Sequence, residues 1–135
     1  MGAPSLQTSG LIAGRIILAS LFLLGGLNKI FTYGATLESM EVVGLSPAPL
    51  LLPLVITLEL GGGILVAVGR NGAVLAALTL AIFTLATNVF FHNFWSMGGE
   101  RAALELSLFF KNLSIAGGLL FYAAAIRPAI TNRDN

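Results

Sequence analysis

Residues 50–94 read LLLPLVITLELGGGILVAVG-RN-GAVLAALTLAIFTLATNVFFHNF. Two apolar runs, about 50–69 and 72–94, are separated only by Arg70 and Asn71. A helix rises 1.5 Å per residue, so each run is near the ~20 residues that cross ~30 Å of hydrocarbon. Backbone polar groups in lipid must be satisfied internally, which leaves helices or closed barrels. Neither run alternates as a barrel strand would, so both are read as helices. The tight Gly69-Arg70-Asn71-Gly72 link returns the second antiparallel to the first.

Two more such runs lie outward of this hairpin, about 11–31 and 104–126. The chain has 135 residues, 56% hydrophobic and 10% charged. Soluble domains carry roughly 25% charged residues, and a mean hydropathy of +0.92 fits lipid as the solvent. The fold class is therefore an all-α membrane protein, with four transmembrane helices in an up-down-up-down bundle and residues 1–135 forming one domain. Residues 1–10 hold no Lys or Arg, and the apolar run after them exceeds a signal-peptide core. The N-terminal segment is expected to be retained.

The longest connection, Thr32 to Pro49, holds Glu38, Met40 and Glu41, and Thr36–Val43 is expected to form a short interfacial helix. Ser96 to Ala103 is read as the third loop, with Gly98-Gly99-Glu100-Arg101. Arg70, Arg127 and Arg133, with Arg15 nearby, fall on the side of the termini. The opposite side has Arg101 and Lys29 against Glu38, Glu41 and Glu100. The Lys/Arg bias predicts that both termini are cytoplasmic. Trp95, Tyr33 and Tyr122 stand near run ends, where interfacial aromatics belong.

A net charge of +1 leaves no basic field for nucleic acid. Cysteine is absent and His92 is the single histidine. Disulfides, thiolate metal sites and iron–sulfur clusters are thus excluded for this chain, a lone His is no metal site, and the chain offers no ligand set for a redox cofactor.

The informative residues are the polar ones inside apolar runs: Arg15, Asn28 and Lys29 in the first, Glu59 in the second, Asn88 and His92 in the third, and Glu105, Lys111 and Asn112 in the fourth. A charge at the bilayer centre costs roughly 2.5–3.5 kcal/mol, so these groups must pair, face the interior or snorkel. Arg15 is expected to snorkel towards phosphates. Helical spacing groups Ser107, Lys111, Ser114 and Gly118 on one face, and Thr84, Asn88, His92 and Trp95 on another. Phe22, Gly26 and Lys29 share a third face, and Ile56, Glu59 and Gly63 a fourth. The simplest arrangement pairs Glu59 with Lys111, or with Lys29, in a polar pocket of the outer half. The plainer readings are a structural ion pair and an interfacial His92 hydrogen-bonded near the headgroups. The glycine clusters 25–26, 61–63 and 117–118 are read as close helix packing.

Several of these residues recur in one pattern. Gly25-Gly26-Leu27-Asn28-Lys29 resembles the G-x-x-K-x signature of the DoxX family, and Gly34-Ala35-Thr36…Met40…Gly44-Leu45 resembles the loop that follows it. Glu59-Leu60-Gly61-Gly62-Gly63 is similar to that family's E-x-x-G-G, Phe91-His92-Asn93-Phe94-Trp95 to its H-x-F-W, and Phe110-Lys111-Asn112-Leu113…Gly117-Gly118 to its F-x-K-N-x…G-G. The resemblance covers almost the whole chain. It implies a four-helix bacterial inner-membrane protein, often labelled an oxidoreductase. Relatives look like quinone-linked thiosulfate-oxidising subunits, or membrane anchors that assemble with soluble redox enzymes. Lys29, Glu59, His92, Lys111 and Asn112 are the family-pattern polar residues, and Asn88 joins them as a pocket candidate.

Three functions follow as expectations. In the first, a quinone head takes a hydrogen bond from Lys111 or His92, Glu59 accepts or relays protons, and Phe90, Phe91, Phe94 and Phe110 form apolar walls. Electrons then come from a protein partner in a membrane redox complex or from a soluble donor. In the second, the chain is a non-catalytic scaffold for partner proteins. In the third, it is a small transporter subunit whose homo-oligomer doubles the helix number.

Overall fold

The computed structural model describes residues 5–131, with side chains to residue 126. Arg133 and the side chain of Arg127, both used in the charge count above, lie outside the described residues. The helices are α1 (Leu6–Phe31), α2 (Tyr33–Val42), α3 (Ala48–Val68), α4 (Ala73–Phe91) and α5 (Gly99–Thr131), with a 3-10 turn at Phe94–Ser96. Among the described residues there is no strand. Four helices among the described residues are long and apolar enough to cross a membrane. Their outer surface is apolar: Ile17, Leu54, Ile82 and Phe121 are all more than 60% exposed. That suits a bundle solvated by hydrocarbon.

Local chemistry sets most boundaries. The Ser5 hydroxyl accepts the Thr8 N–H and starts α1. Gly69 and Gly72 both take positive φ, 66° and 87°, which only glycine adopts cheaply, and so turn α3 into α4 in four residues. The fourth run departs most from its expected bounds. α5 begins at Gly99, so most of the expected third loop is helical. Glu100 lies in the first turn, where a carboxylate favours the partial positive charge of the helix start. The short helix likewise begins at Tyr33 rather than Thr36.

Packing follows the small residues. α1 lies on α3, where a Cβ on Gly26 would stand 2.8 Å from Leu60 and one on Gly63 2.9 Å from Leu23. Gly62 meets Leu80 of α4 in the same way, at 3.1 Å. Gly61 and Gly117 have nothing within 4 Å, so the glycine clusters are packing devices only in part. α5 lies on α4 and touches α1 lightly, closing the ring. One core fills the end near the α3–α4 turn, around Val66, Ala77, Leu80 and Leu119. A smaller core at the opposite end, hereafter the α2 end, seats α2 through Met40 against Ala48 and Leu52.

One expected interfacial group lies elsewhere. Tyr122 is buried and its hydroxyl donates to the Val66 carbonyl at 3.0 Å, which ties α5 to α3. Arg15 lies against Gly69, where a Cβ would collide with its guanidinium. There it faces the C-terminal end of α3, whose free carbonyls carry partial negative charge.

Candidate functional site

The centre of the site is an ion pair within the membrane-spanning part of the bundle. Glu59 projects from α3 onto the Gly25-Gly26 step of α1, where a Cβ on Gly25 would stand 3.4 Å from Oε1. Larger residues at 25 and 26 would fill this seat. Lys29, one turn further along α1, donates to Glu59 Oε1 at 2.9 Å. Oε2 is equally near Nζ, at 2.9 Å, but it is buried and accepts no hydrogen bond of good geometry. The Glu59 side chain is 7% exposed and that of Lys29 is 27% exposed. The pair is thus buried on the carboxylate side and partly open on the ammonium side.

Of the two cations weighed for Glu59, the structure therefore chooses Lys29. Lys111 stands on the exposed face of α5, and among the described residues it has no hydrogen bond or ion pair. Ser107 and Ser114 share that exposed face. The correction is one of helix phase. Adjacent residues differ by about 100° around the axis, and Asn112, next to Lys111, points inward. Asn112 Nδ2 donates to Asn88 Oδ1 at 3.0 Å, and Asn88 Nδ2 donates to the Phe109 carbonyl at 3.1 Å. These bonds bind α4 to α5 and satisfy the buried amide of Asn88.

A second polar pair caps α4. His92 Nδ1 lies 2.7 Å from Glu105 Oε2, both partly buried, so the His92 ring is held against α5. Glu105 was not among the pocket candidates, although the sequence holds its signal. Residues 105, 109, 112, 116, 119, 123 and 126 recur every three or four along α5, and the last four are buried. The inward position of Asn112 therefore places Glu105 inward too.

Between the two cores lies a cavity of about 570 Å³. Lys29, Glu59, His92 and Asn112 reach its wall, while Asn88 and Lys111 do not. Apolar walls come from Leu21 and Phe22 of α1, Val55 of α3, and Phe83, Phe90 and Phe91 of α4. Thr36, Met40 and Leu45 border it at the α2 end. Two expected wall residues are elsewhere. Phe94 stacks edge-on with Trp95 and Phe109, and Phe110 is 56% exposed. Phe83 and Thr87 line the cavity without having been singled out, and Phe22 lines it from the face it shares with Gly26 and Lys29. No group of three or more His, Asp or Glu forms a metal site among the described residues.

Fold and site define a multi-pass membrane protein with a mixed polar and apolar cavity inside its helix bundle. The DoxX family model matches residues 10–93, and the chain belongs to the DoxX family. It is 37% identical over 118 residues to inner membrane protein YqjF of Escherichia coli strain K12, covering 87% of this chain and 85% of the relative. It is 32% identical over 122 residues to inner membrane protein YphA of the same strain, covering 90% and 86%. No solved structure matches. The chain is accordingly a multi-pass inner-membrane protein in contact with the lipid bilayer.

Proposed function

We propose that residues 1–135 act as one unit, a membrane component of a quinone-linked redox system, and that the cavity holds a quinone head. The observation that carries this reading is the convergence of Lys29, Glu59 and His92 on one otherwise apolar cavity within the membrane-spanning bundle. A quinone ring needs apolar walls and a few polar groups at its two carbonyls. Phe22, Phe83 and Phe91 offer the walls. Lys29 retains N–H donors beyond the one given to Glu59.

His92 offers the other contact. Its Nδ1 is held by Glu105, which leaves Nε2 for a ligand. With the ring neutral and Nδ1 protonated, Nε2 accepts from a quinol hydroxyl; with the ring protonated, it donates to a quinone carbonyl. Glu59 Oε2, with no hydrogen-bond donor of its own, is the acceptor through which a proton leaves or enters. Electrons come from a protein partner or a soluble donor. In the orientation proposed here both termini are cytoplasmic, so the α2 end faces away from the cytoplasm.

The test is mass spectrometry of the protein purified from its own membrane in mild detergent. A near-stoichiometric quinone in the wild type, lost in Lys29→Met and in His92→Phe, supports the reading. Wild-type protein free of quinone, and unable to take it up from added short-chain quinone, refutes it.

A second reading, a scaffold or anchor for other membrane proteins, draws on Lys111. An exposed cation within a membrane-spanning helix is satisfied by a carboxylate on a partner helix. Co-purification of a stable partner that is lost in Lys111→Leu would favour it.

A further inference from the structure

A second cavity, of about 750 Å³, opens at the α2 end between the C-terminal half of α2 and the Asn93–Arg101 connection. It shares Phe90 and Phe91 with the first cavity, but none of that cavity's ionisable residues. Glu38 of α2 and Arg101 of α5 both line it. Among the described residues neither has a salt bridge or a side-chain hydrogen bond, to the other or to anything else. One cavity thus presents an unpaired anion and an unpaired cation on two different elements. Such a pair is complementary to a ligand that carries both signs and not to a simple anion or cation.

The rest of the wall says what kind of ligand. Val42, Val89 and Phe90 are apolar, line the cavity and are each at least 40% exposed. From Val89 the apolar surface continues down the membrane-facing side of α4 through exposed Leu85 and Ile82, at helical spacing. A charged recess at the end of a transmembrane bundle, continuous with a lipid-facing apolar track, fits a head with a tail. We infer that this cavity binds the zwitterionic headgroup of a membrane phospholipid, with its phosphate on Arg101, its primary ammonium on Glu38 and an acyl chain along Val89, Leu85 and Ile82. Arginine suits the phosphate because its planar fork can give two parallel hydrogen bonds. The ammonium must carry N–H groups to donate to the Glu38 carboxylate. The site is independent of the quinone reading.

Native mass spectrometry of the full-length protein, titrated in detergent with single lipids, tests this. The probes are phosphatidylethanolamine, phosphatidylglycerol, phosphatidylcholine and tail-less phosphoethanolamine. Phosphatidylethanolamine is expected to bind about tenfold more tightly than the other two lipids, equivalent to one charge-assisted contact. Glu38→Gln should bring it down to the phosphatidylglycerol level. Arg101→Gln should lower both. Both side chains are on the surface, so neither change threatens the fold. Equal binding of phosphatidylethanolamine and phosphatidylglycerol by the wild type would overturn the proposal. So would a preference that survives both substitutions. Phosphoethanolamine that competes at the same concentration as the lipid would overturn the lipid source.

Discussion

Lys29 and Glu59 are thirty residues apart in sequence and 2.9 Å apart in space, in a medium that penalises each alone. Removing one member of a fully buried pair costs about 3–5 kcal/mol because the other charge is stranded. Lys29 is partly open and Glu59 can take up a proton, so Lys29→Met is expected to destabilise by roughly 1–3 kcal/mol. Glu59→Gln added to Lys29→Met should recover most of that loss. Reversible unfolding in mixed micelles of both single variants and the double measures the coupling, and a double variant whose loss equals the sum of the two single losses would show that the pair carries no coupling energy. The glycines make an internally controlled set. Gly63→Ala drives a Cβ to 2.9 Å from Leu23, and Gly61→Ala meets nothing within 4 Å. We expect a loss of about 1–3 kcal/mol for the first from overpacking and no loss for the second.

At the scale of the elements, the four spans were legible because bilayer thickness fixes the length of each apolar run. The start of α5 was not, since Gly98-Gly99-Glu100-Arg101 has loop composition, yet Glu100 favours a helix start. Helix phase was the larger loss. Ser107, Lys111 and Ser114 do share a face, as their spacing says, but periodicity alone does not tell an inward polar face from an outward one. In a soluble protein the polar face is the wet one. In a bundle whose outside is lipid that rule fails, and only contacts such as Asn112 with Asn88 set the phase. The same bonds predict the behaviour of the α4–α5 seam. Asn88→Leu removes two interhelical hydrogen bonds, each worth about 0.6 kcal/mol in a membrane bundle. The expected total is about 1 kcal/mol, together with faster amide exchange at the α2 end of α5. Exchange unchanged along α5 would argue that the amides only fill space.

For the whole molecule, two cores with a cavity between them leave the α2 end more loosely held than the turn end. At the turn end Tyr122, Arg15 and the tight Gly69–Gly72 link draw four helices together. Gly69→Ala strains a left-handed residue by about 1–2 kcal/mol and also displaces Arg15, so it should lower thermal stability without altering the cavity. Disruption of α2 packing, as in Met40→Ala, should also lower stability, by about 2–5 kcal/mol for a buried methionine, but with easier entry to the cavity. Of the site, Glu59, Lys29, His92 and Asn112 were visible in the sequence as costly polar groups in apolar runs. Phe90 and Phe91 were legible as walls, whereas the pairing of Glu105 with His92, the cation that Glu59 takes and the walls from Phe22 and Phe83 needed three dimensions.

Photolabelling the membrane-embedded protein with an azido-quinone, followed by peptide mapping, tests the cavity reading most directly. Label is expected to concentrate on cavity residues such as Phe22, Met40, Phe83 and Thr87, and to be reduced by excess unlabelled quinone and by Lys29→Met. Label spread over outward residues such as Ile17, Ile82 and Phe121, and indifferent to competitor, would contradict it.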